Sequence, residues 1–282
     1  MKKIVVPVLV FFHALCLSAQ NDEGGKSLLT NHARSTRLSV LNLVDPYLSP
    51  LPYSGIGVGY EAVRGRFLGT ENLKYSLHDK LDLSVGMLVN PAVTNSMAYF
   101  GVDYGAGVQY HYRVRKNILV LGGMMWDALF GMKMVDRNIN NPYNFDLATN
   151  LNLAGTLVYD YPLRRRTLRF ALRLQTPLVG CMFVPEGGAS YYEMFELGNL
   201  ANAFHFSSLH NKRGLNRMLS VDVPFNRSVW RFGFGYNDLK FSANNLVFKE
   251  EELGVSIGVT FDVARFAGRR NPAPHNFIGI YE

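Results

Sequence analysis

From Phe100 to Val114 the chain reads "FGVDYGAGVQYHYRV", and every second residue belongs to one of two sets. Phe100, Val102, Tyr104, Ala106, Val108, Tyr110, Tyr112 and Val114 are apolar or aromatic. Gly101, Asp103, Gly105, Gly107, Gln109, His111 and Arg113 are polar, charged or glycine. A period of two places the two sets on opposite faces of one β-strand. The pattern recurs. "WRFGFGYN" sets Trp230, Phe232, Phe234 and Tyr236 against Arg231, Gly233, Gly235 and Asn237. "LGVSIGVTFDV" sets Leu253, Val255, Ile257, Val259, Phe261 and Val263 against Gly254, Ser256, Gly258, Thr260 and Asp262. "LRFALRLQ", "LDLSVGMLV" and "SGIGVGYE" follow the same rule.

A soluble β-sandwich also alternates, but its strands usually run about 5 to 6 residues. A membrane strand needs about 9 to 11 residues, apolar outside and polar inside. The alternating runs here reach that length. Glycine weakens an ordinary strand, yet it suits a crowded, curved interior. Aromatics gather near the ends of runs, at Tyr110, Tyr112, Trp126, Phe130, Tyr159 and Tyr161, as in the girdles of outer-membrane barrels. The fold expected is an all-β, transmembrane, antiparallel up-and-down barrel of ten or twelve strands.

The alternation predicts strands over 36–44, 54–68, 73–90, 97–114, 117–132, 148–163, 167–183, 201–208, 216–225, 228–240 and 251–264. That is an odd set, whereas bacterial barrels are even. Either the first is a lead-in outside the barrel, or one more strand lies near "SYYEMFELGN". Tight hairpins are expected near Arg115, Arg165 and Asn226. Long loops are expected over Lys133 to Asp146 and Val184 to Asn199.

The N-terminus changes the compartment. Lys2 and Lys3 precede an apolar stretch from Ile4 to Leu15, and Leu17, Ser18 and Ala19 form a small-residue exit. Residues 1–19 therefore read as a secretory signal, too short to span a membrane as a helix. Residues 20–264 form the expected outer-membrane barrel, and 265–282 a loosely ordered periplasmic tail. Cys16 falls within the signal and Leu15 before it argues against a lipoprotein. Cys181 then stands alone, which excludes an internal disulfide. The net charge of +7 over 282 residues is mild, and an exported chain is not expected to bind nucleic acid. The expected partners are outer-membrane lipid and, during insertion, the barrel-assembly machinery. "SIGVTFDV", through Ser256, Gly258, Phe261 and Val263, looks like the terminal-strand signal which that machinery reads.

Three stretches carry a resemblance. "VDPYLSPLPYSGIGVGYE" holds a Tyr-Leu-Ser-Pro signature at Tyr47 to Pro50. "LVNPAVTNSMAYFGVDYG" holds an Asn-Pro-Ala turn at Asn90, Pro91 and Ala92. "SLHNKRGLNRMLSVDVPF" holds His210, Asn211, Asp222 and Pro224. Together they resemble a family of uncharacterised Bacteroidetes outer-membrane proteins that carries only a domain-of-unknown-function label. The resemblance implies a barrel in a Gram-negative outer membrane and supplies no activity. Asp45-Pro46 stands where that family more often has Asp-Thr.

One constellation raises catalysis. "AFHFSSLHNKRGLNRML" is similar to outer-membrane phospholipase A, which has His-x-Ser on one strand and Asn on the next. His205, Ser207 and Asn216 match that order, as base, nucleophile and orienting group. However, Phe204 and Phe206 take the lipid face, so His205 and Ser207 point inward, away from a lipid substrate. Ser208-Leu209 also replaces the Asn-Gly of that family. The bland reading, polar lumen residues satisfied by neighbours, is the expectation kept. Gly55, Gly57 and Gly59 imitate part of a phosphate loop, but no helix follows them. The histidines show no metal-ligand spacing, so neither a metal nor another cofactor is expected. Glu61, Asp82, Asp103, Asp222, Arg113, Arg169, Arg173 and Arg231 should face a lumen largely filled by side chains. The expected role is structural or envelope-associated, or a narrow channel for small solutes, without enzymatic activity. The alternatives are the hydrolase and a surface-binding barrel whose loops carry Tyr143, Phe145, Tyr191 and Tyr192.

The two faces should answer differently to charge. Arginine at a lipid-facing mid-bilayer position costs about 2 to 4 kcal/mol. Val108→Arg is expected to lower the folded fraction strongly, and Gln109→Arg to be tolerated or mildly harmful. A heat-modifiable gel shift in outer membranes measures both. Equal losses would place the even residues away from lipid.

Overall fold

In the bilayer core every backbone N–H and C=O needs a partner within the chain, so a sheet that crosses must close on itself. The computed structural model describes residues 26–69, 73–136, 141–164, 166–198, 200, 202–226, 228–264 and 276–281. The signal-like segment lies outside them. Within them, ten antiparallel strands close a barrel and two short strands are added. The wall runs β1 (Lys26–Val44), β2 (Pro52–Phe67), β3 (Tyr75–Val89), β4 (Ser96–Arg115), β5 (Ile118–Val135), β6 (Tyr143–Pro162), β7 (Thr167–Phe183), β9 (Lys212–Phe225), β10 (Ser228–Ala243) and β11 (Leu246–Ala264). β11 pairs back with β1 from Leu29↔Ala264 to Val44↔Lys249, which closes the ring. No described helix is long and apolar enough to cross a membrane.

The strand number settles for a local reason. The two strands expected at 201–208 and 216–225 share one place in the wall. β8 (Phe204–Ser208) pairs with the upper part of β7, Val179 to Phe183, while β9 pairs with its lower part, Arg169 to Gln175. The chain steps out between them. Asn211 holds the step: its Oδ1 accepts from Ser208 N at 2.9 Å, its Nδ2 donates to Phe206 O at 2.9 Å, and its carbonyl accepts from Ser242 N at 2.8 Å. The His-Asn segment of the sequence is thus a break in a barrel strand.

Two further expectations are corrected. The first strand is no lead-in, because β1 belongs to the wall from Leu29 to Val44. Its early residues escaped the alternation because His32 and Arg34 occupy the outward face, stacked against Phe261. "SYYEMFELGN" is no strand either. It holds a short helix, α1 (Tyr191–Phe195), started by a reciprocal capping box between Ser190 and Glu193.

The start of β1, the end of β11 and the connections at 68–74, 116–117, 163–166 and 226–227 lie at one end of the barrel. The connections at 45–51, 90–95, 136–142, 184–203 and 244–245 lie at the other, and the longest of all, 184–203, is among them. Short turns mark the periplasmic end of such barrels and long loops the outer end. Outward positions are apolar and exposed: Ile56 is 66 % exposed, Val255 57 % and Phe206 65 %. Inward neighbours are buried, as at Arg37, Glu61, Ser207 and Asp222. The tail is not wholly loose. Residues 276–278 form β12, parallel to the first residues of β1, and Ile280 behind it is buried.

Candidate functional site in the barrel lumen

A barrel of few strands has an interior narrow enough for side chains to fill. Here the filling is layered. At the outer end the inward residues turn apolar: Leu41, Leu43, Leu88, Met97, Met182, Phe241 and Phe248 form one buried cluster. Phe241 and Phe248 stack at 4.7 Å. Loops complete this cap. Tyr47 and Leu48 enter from the β1–β2 connection, and Tyr191 and Met194 from α1. Tyr47 Oη donates to Ala189 O at 2.7 Å, and Tyr191 Oη donates to Asn144 Oδ1 at 2.7 Å. Burial, reinforced by Asp45, pushes the Tyr47 hydroxyl up to about 12. Burial also raises the Tyr191 hydroxyl.

Beneath the cap lies Lys133, with no exposed surface. Its ammonium reaches Glu250 Oε1 at 2.6 Å, Asp146 Oδ2 at 2.8 Å and Asp45 Oδ2 at 3.7 Å. Asp45 is further held by the backbone N–H groups of Tyr47 and Leu48 and by Asn144. Isolated charges do not survive burial, whereas hydrogen-bonded clusters do.

The middle of the lumen is a belt of ion pairs. Arg37 grips Asp82 with two bonds, at 2.9 and 3.0 Å, and Glu252 with a third at 2.7 Å. Lys80 meets Asp103 at 2.9 Å. Arg173 meets Glu61 at 2.7 Å, and Arg231 meets Asp222 in a fork at 2.6 and 2.7 Å. Glycines make room for Arg37. A Cβ on Gly59 would sit 2.8 Å from its guanidinium, and one on Gly254 would sit 3.0 Å from its stem. Two of the inner glycines legible in the sequence, Gly59 and Gly254, are therefore space for an arginine.

Among the described residues two cavities lie within this column, the upper one mainly polar and the lower one mixed. The upper holds about 160 Å³ and is lined by residues including Asp127, Asn150, Asn152, Lys212, Asn216 and Asn237. Asn150 and Asn152 donate to the two oxygens of Asp127 at 2.6 and 2.5 Å, and Lys212 donates to Asn150 Oδ1 at 2.8 Å. The lower cavity holds about 60 Å³ and shares Lys80, Gln175 and Asn216 with the upper one. Tyr281 of the tail closes its lining.

The expected lumen charges fall as predicted except one. Glu61, Asp82, Asp103, Asp222, Arg173 and Arg231 join the belt, and Arg169 pairs with Asp160 at 2.7 Å. Arg113 instead lies exposed at the end of β4 and donates to Lys116 O at 3.1 Å. Arg37, Lys80, Lys133 and Lys212 were missed. Arg37 lies within the strand expected over 36–44, on the face opposite Leu38 and Val40, and Lys133 was assigned to a loop. Lys80 and Lys212 sit on inward faces that the period of two would have disclosed.

His205 and Ser207 face inward, opposite Met182 and Gly180, with Phe204 and Phe206 on the lipid side. His205 Nε2 is buried without a hydrogen-bond partner. Asn216 lines the cavities opposite Gln175. From Gly180 to Gln175 the wall runs roughly 15 Å at about 3.3 Å per residue. The three side chains are thus spread along the lumen, and among the described residues no hydrogen bond joins them. Ser76 holds the other histidine pairing, between His78 Nε2 at 2.8 Å and His111 Nε2 at 2.6 Å. Among the described residues no group of three or more His, Cys, Asp or Glu side chains could hold a metal. Tyr143, Phe145 and Tyr191 pack on one another at the rim, and Tyr192 alone of the four aromatic loop residues stands well exposed.

These features define an antiparallel barrel of the outer-membrane type with an occupied lumen. The chain belongs to the family described as "Protein of unknown function (DUF3316)", whose model matches residues 4–270. No curated protein sequence matches it. In structure it is similar to the outer membrane protease OmpT from Escherichia coli, at 6% identity and a TM-score of 0.50, over 83% of this chain and 97% of that one. It is also similar to the translocator domain of the autotransporter NalP from Neisseria meningitidis, at 10% identity and a TM-score of 0.41, over 91% and 97%. Such identities speak of fold alone.

Lys133 gives a direct test of the buried cluster. Lys133→Met leaves three carboxylates facing one another without their cation. The expected loss is about 3 to 5 kcal/mol. Denaturant titration of the refolded barrel measures it. Adding Glu250→Gln to Lys133→Met should recover part of the loss.

Proposed function

We propose that this protein is a non-enzymatic, envelope-associated barrel of the outer membrane whose lumen does not conduct. The observation that carries the reading is that the apolar outer cap closes the lumen above, the ion-pair belt crosses it and the tail covers it below, with cavities only between them. An open pore needs a water-filled path and unpaired lining charges. Here Arg37, Lys80, Lys133, Arg173 and Arg231 are committed to carboxylates in short pairs, and Lys212 and Asp127 are held by asparagines. The chain reaches the membrane through the signal at residues 1–19 and is inserted by the barrel-assembly machinery, reading Ser256, Gly258, Phe261 and Val263 in the closing strand. The Bacteroidetes setting of the Tyr-Leu-Ser-Pro and His-Asn motifs belongs to this reading. The inward placement and wide spacing of His205, Ser207 and Asn216 argue for lumen packing over lipid hydrolysis.

Purified full-length protein in planar bilayers is expected to show no steady conductance steps under conditions where a porin control conducts. Regular, reproducible steps would favour the small-solute channel. In the same preparation phospholipid turnover should stay at background, unchanged by Ser207→Ala. Turnover in the wild type that is lost in Ser207→Ala would establish the hydrolase instead.

A further inference from the structure

The periplasmic end of the lumen breaks the rule that a barrel interior is polar. Leu119 and Leu121 of β5, Val158 of β6 and Ala171 of β7 face inward there and form a buried apolar cluster. Their cover is the tail. β12 lies beside β1 through Lys26↔Asn276, Ser27↔Phe277 and Leu28↔Ile278. Beyond it the chain turns into the barrel. Ile280 is 1 % exposed, and Tyr281 packs on the apolar cluster with the Arg169 guanidinium 5.2 Å from its ring centre. Burial raises the Tyr281 hydroxyl. Tyr281 also lines the lower cavity, which shares Lys80, Gln175 and Asn216 with the upper one.

We propose that the C-terminal segment 276–281 is a displaceable stopper, and that the two lumen cavities form one blind chamber opening only to the periplasm when it leaves. This rests on the outer-membrane reading given above, with the termini on the periplasmic side. Two contrasts support displacement. The outer cap is built from barrel strands and loops anchored at both ends, whereas the stopper is a three-residue parallel pairing and two seated side chains. Elements with so few pairing bonds open at a small fraction of the global free energy. The upper cavity is lined mainly by polar side chains such as Asp127, Asn150 and Asn237, so water can enter it once the cover has gone.

Accessibility of a single thiol tests this. The full chain carrying Cys181→Ser and Asn216→Cys is made in outer membranes, because Asn216 lines both cavities. A membrane-impermeant methanethiosulfonate is applied to intact cells, and to membranes with the periplasmic face open. Labelling is expected only from the periplasmic face. Adding Ile280→Ala and Tyr281→Ala should raise its rate about tenfold or more, as expected when a local opening equilibrium is shifted. A second variant adds Leu28→Cys and Ile278→Cys, register partners in the parallel pair, and is oxidised before labelling. The disulfide should suppress labelling, and reduction should restore it. Equal rates in the parent, the double alanine variant and the locked form would overturn the stopper. Labelling from outside intact cells would overturn the one-sided chamber. Failure of the outer-membrane reading shows separately, as loss of heat-modifiable migration and of membrane fractionation in the parent.

Discussion

Closure of the sheet is the constraint from which the rest follows. β1 and β11 pair over sixteen register positions, Leu29 to Val44, and leave no edge in the wall. An open edge in hydrocarbon would strand a row of N–H and C=O groups with no water to meet them. Each side chain in the ring is thereby committed to lipid or to lumen. Leu38, Ile56 and Val255 look out, and Arg37, Gly57 and Ser256 look in.

A ring of ten strands leaves little room inside, and the inward residues must fill it. Large charged side chains in a confined space of low dielectric survive only when paired. Arg37, Arg173 and Arg231 each find a carboxylate on another strand, and Gly59 and Gly254 yield the volume that Arg37 occupies. The same pairs tie strands that are distant in sequence. Arg173 and Glu61 are 112 residues apart, so their bond holds β7 against β2 across the lumen.

The two ends of the lumen are closed differently. The outer cap draws on eight barrel strands, on α1 and on loops held at both ends, and shelters the Lys133 cluster. The periplasmic end leaves Leu119 and Leu121 to a cover supplied by segment 276–281, which pairs with the wall over three residues. Apolar residues facing a lumen are costly unless something dry lies upon them. Tyr281 supplies that surface.

Fold class, the faces of most strands and the lumen charges Glu61, Asp82, Asp103, Asp222, Arg169, Arg173 and Arg231 were legible in the sequence, because a period of two is a local property that any stretch such as Phe100 to Val114 displays by itself. The tight turns near Arg115 and Asn226 were legible for the same reason. Strand number was not, since whether β8 and β9 are two strands or one depends on how both lie along β7, a contact between distant segments. The helix at Tyr191 carried a local sign, Ser190-x-x-Glu193, that aromatic content obscured. The spread of His205, Ser207 and Asn216 along the wall, the gathering of Asp45, Lys133, Asp146 and Glu250, and the seating of Tyr281 were beyond any local pattern. Sequence determined which way each side chain points. Only closure of the barrel decided what it meets, because opposite walls come together across the lumen without regard to their separation along the chain.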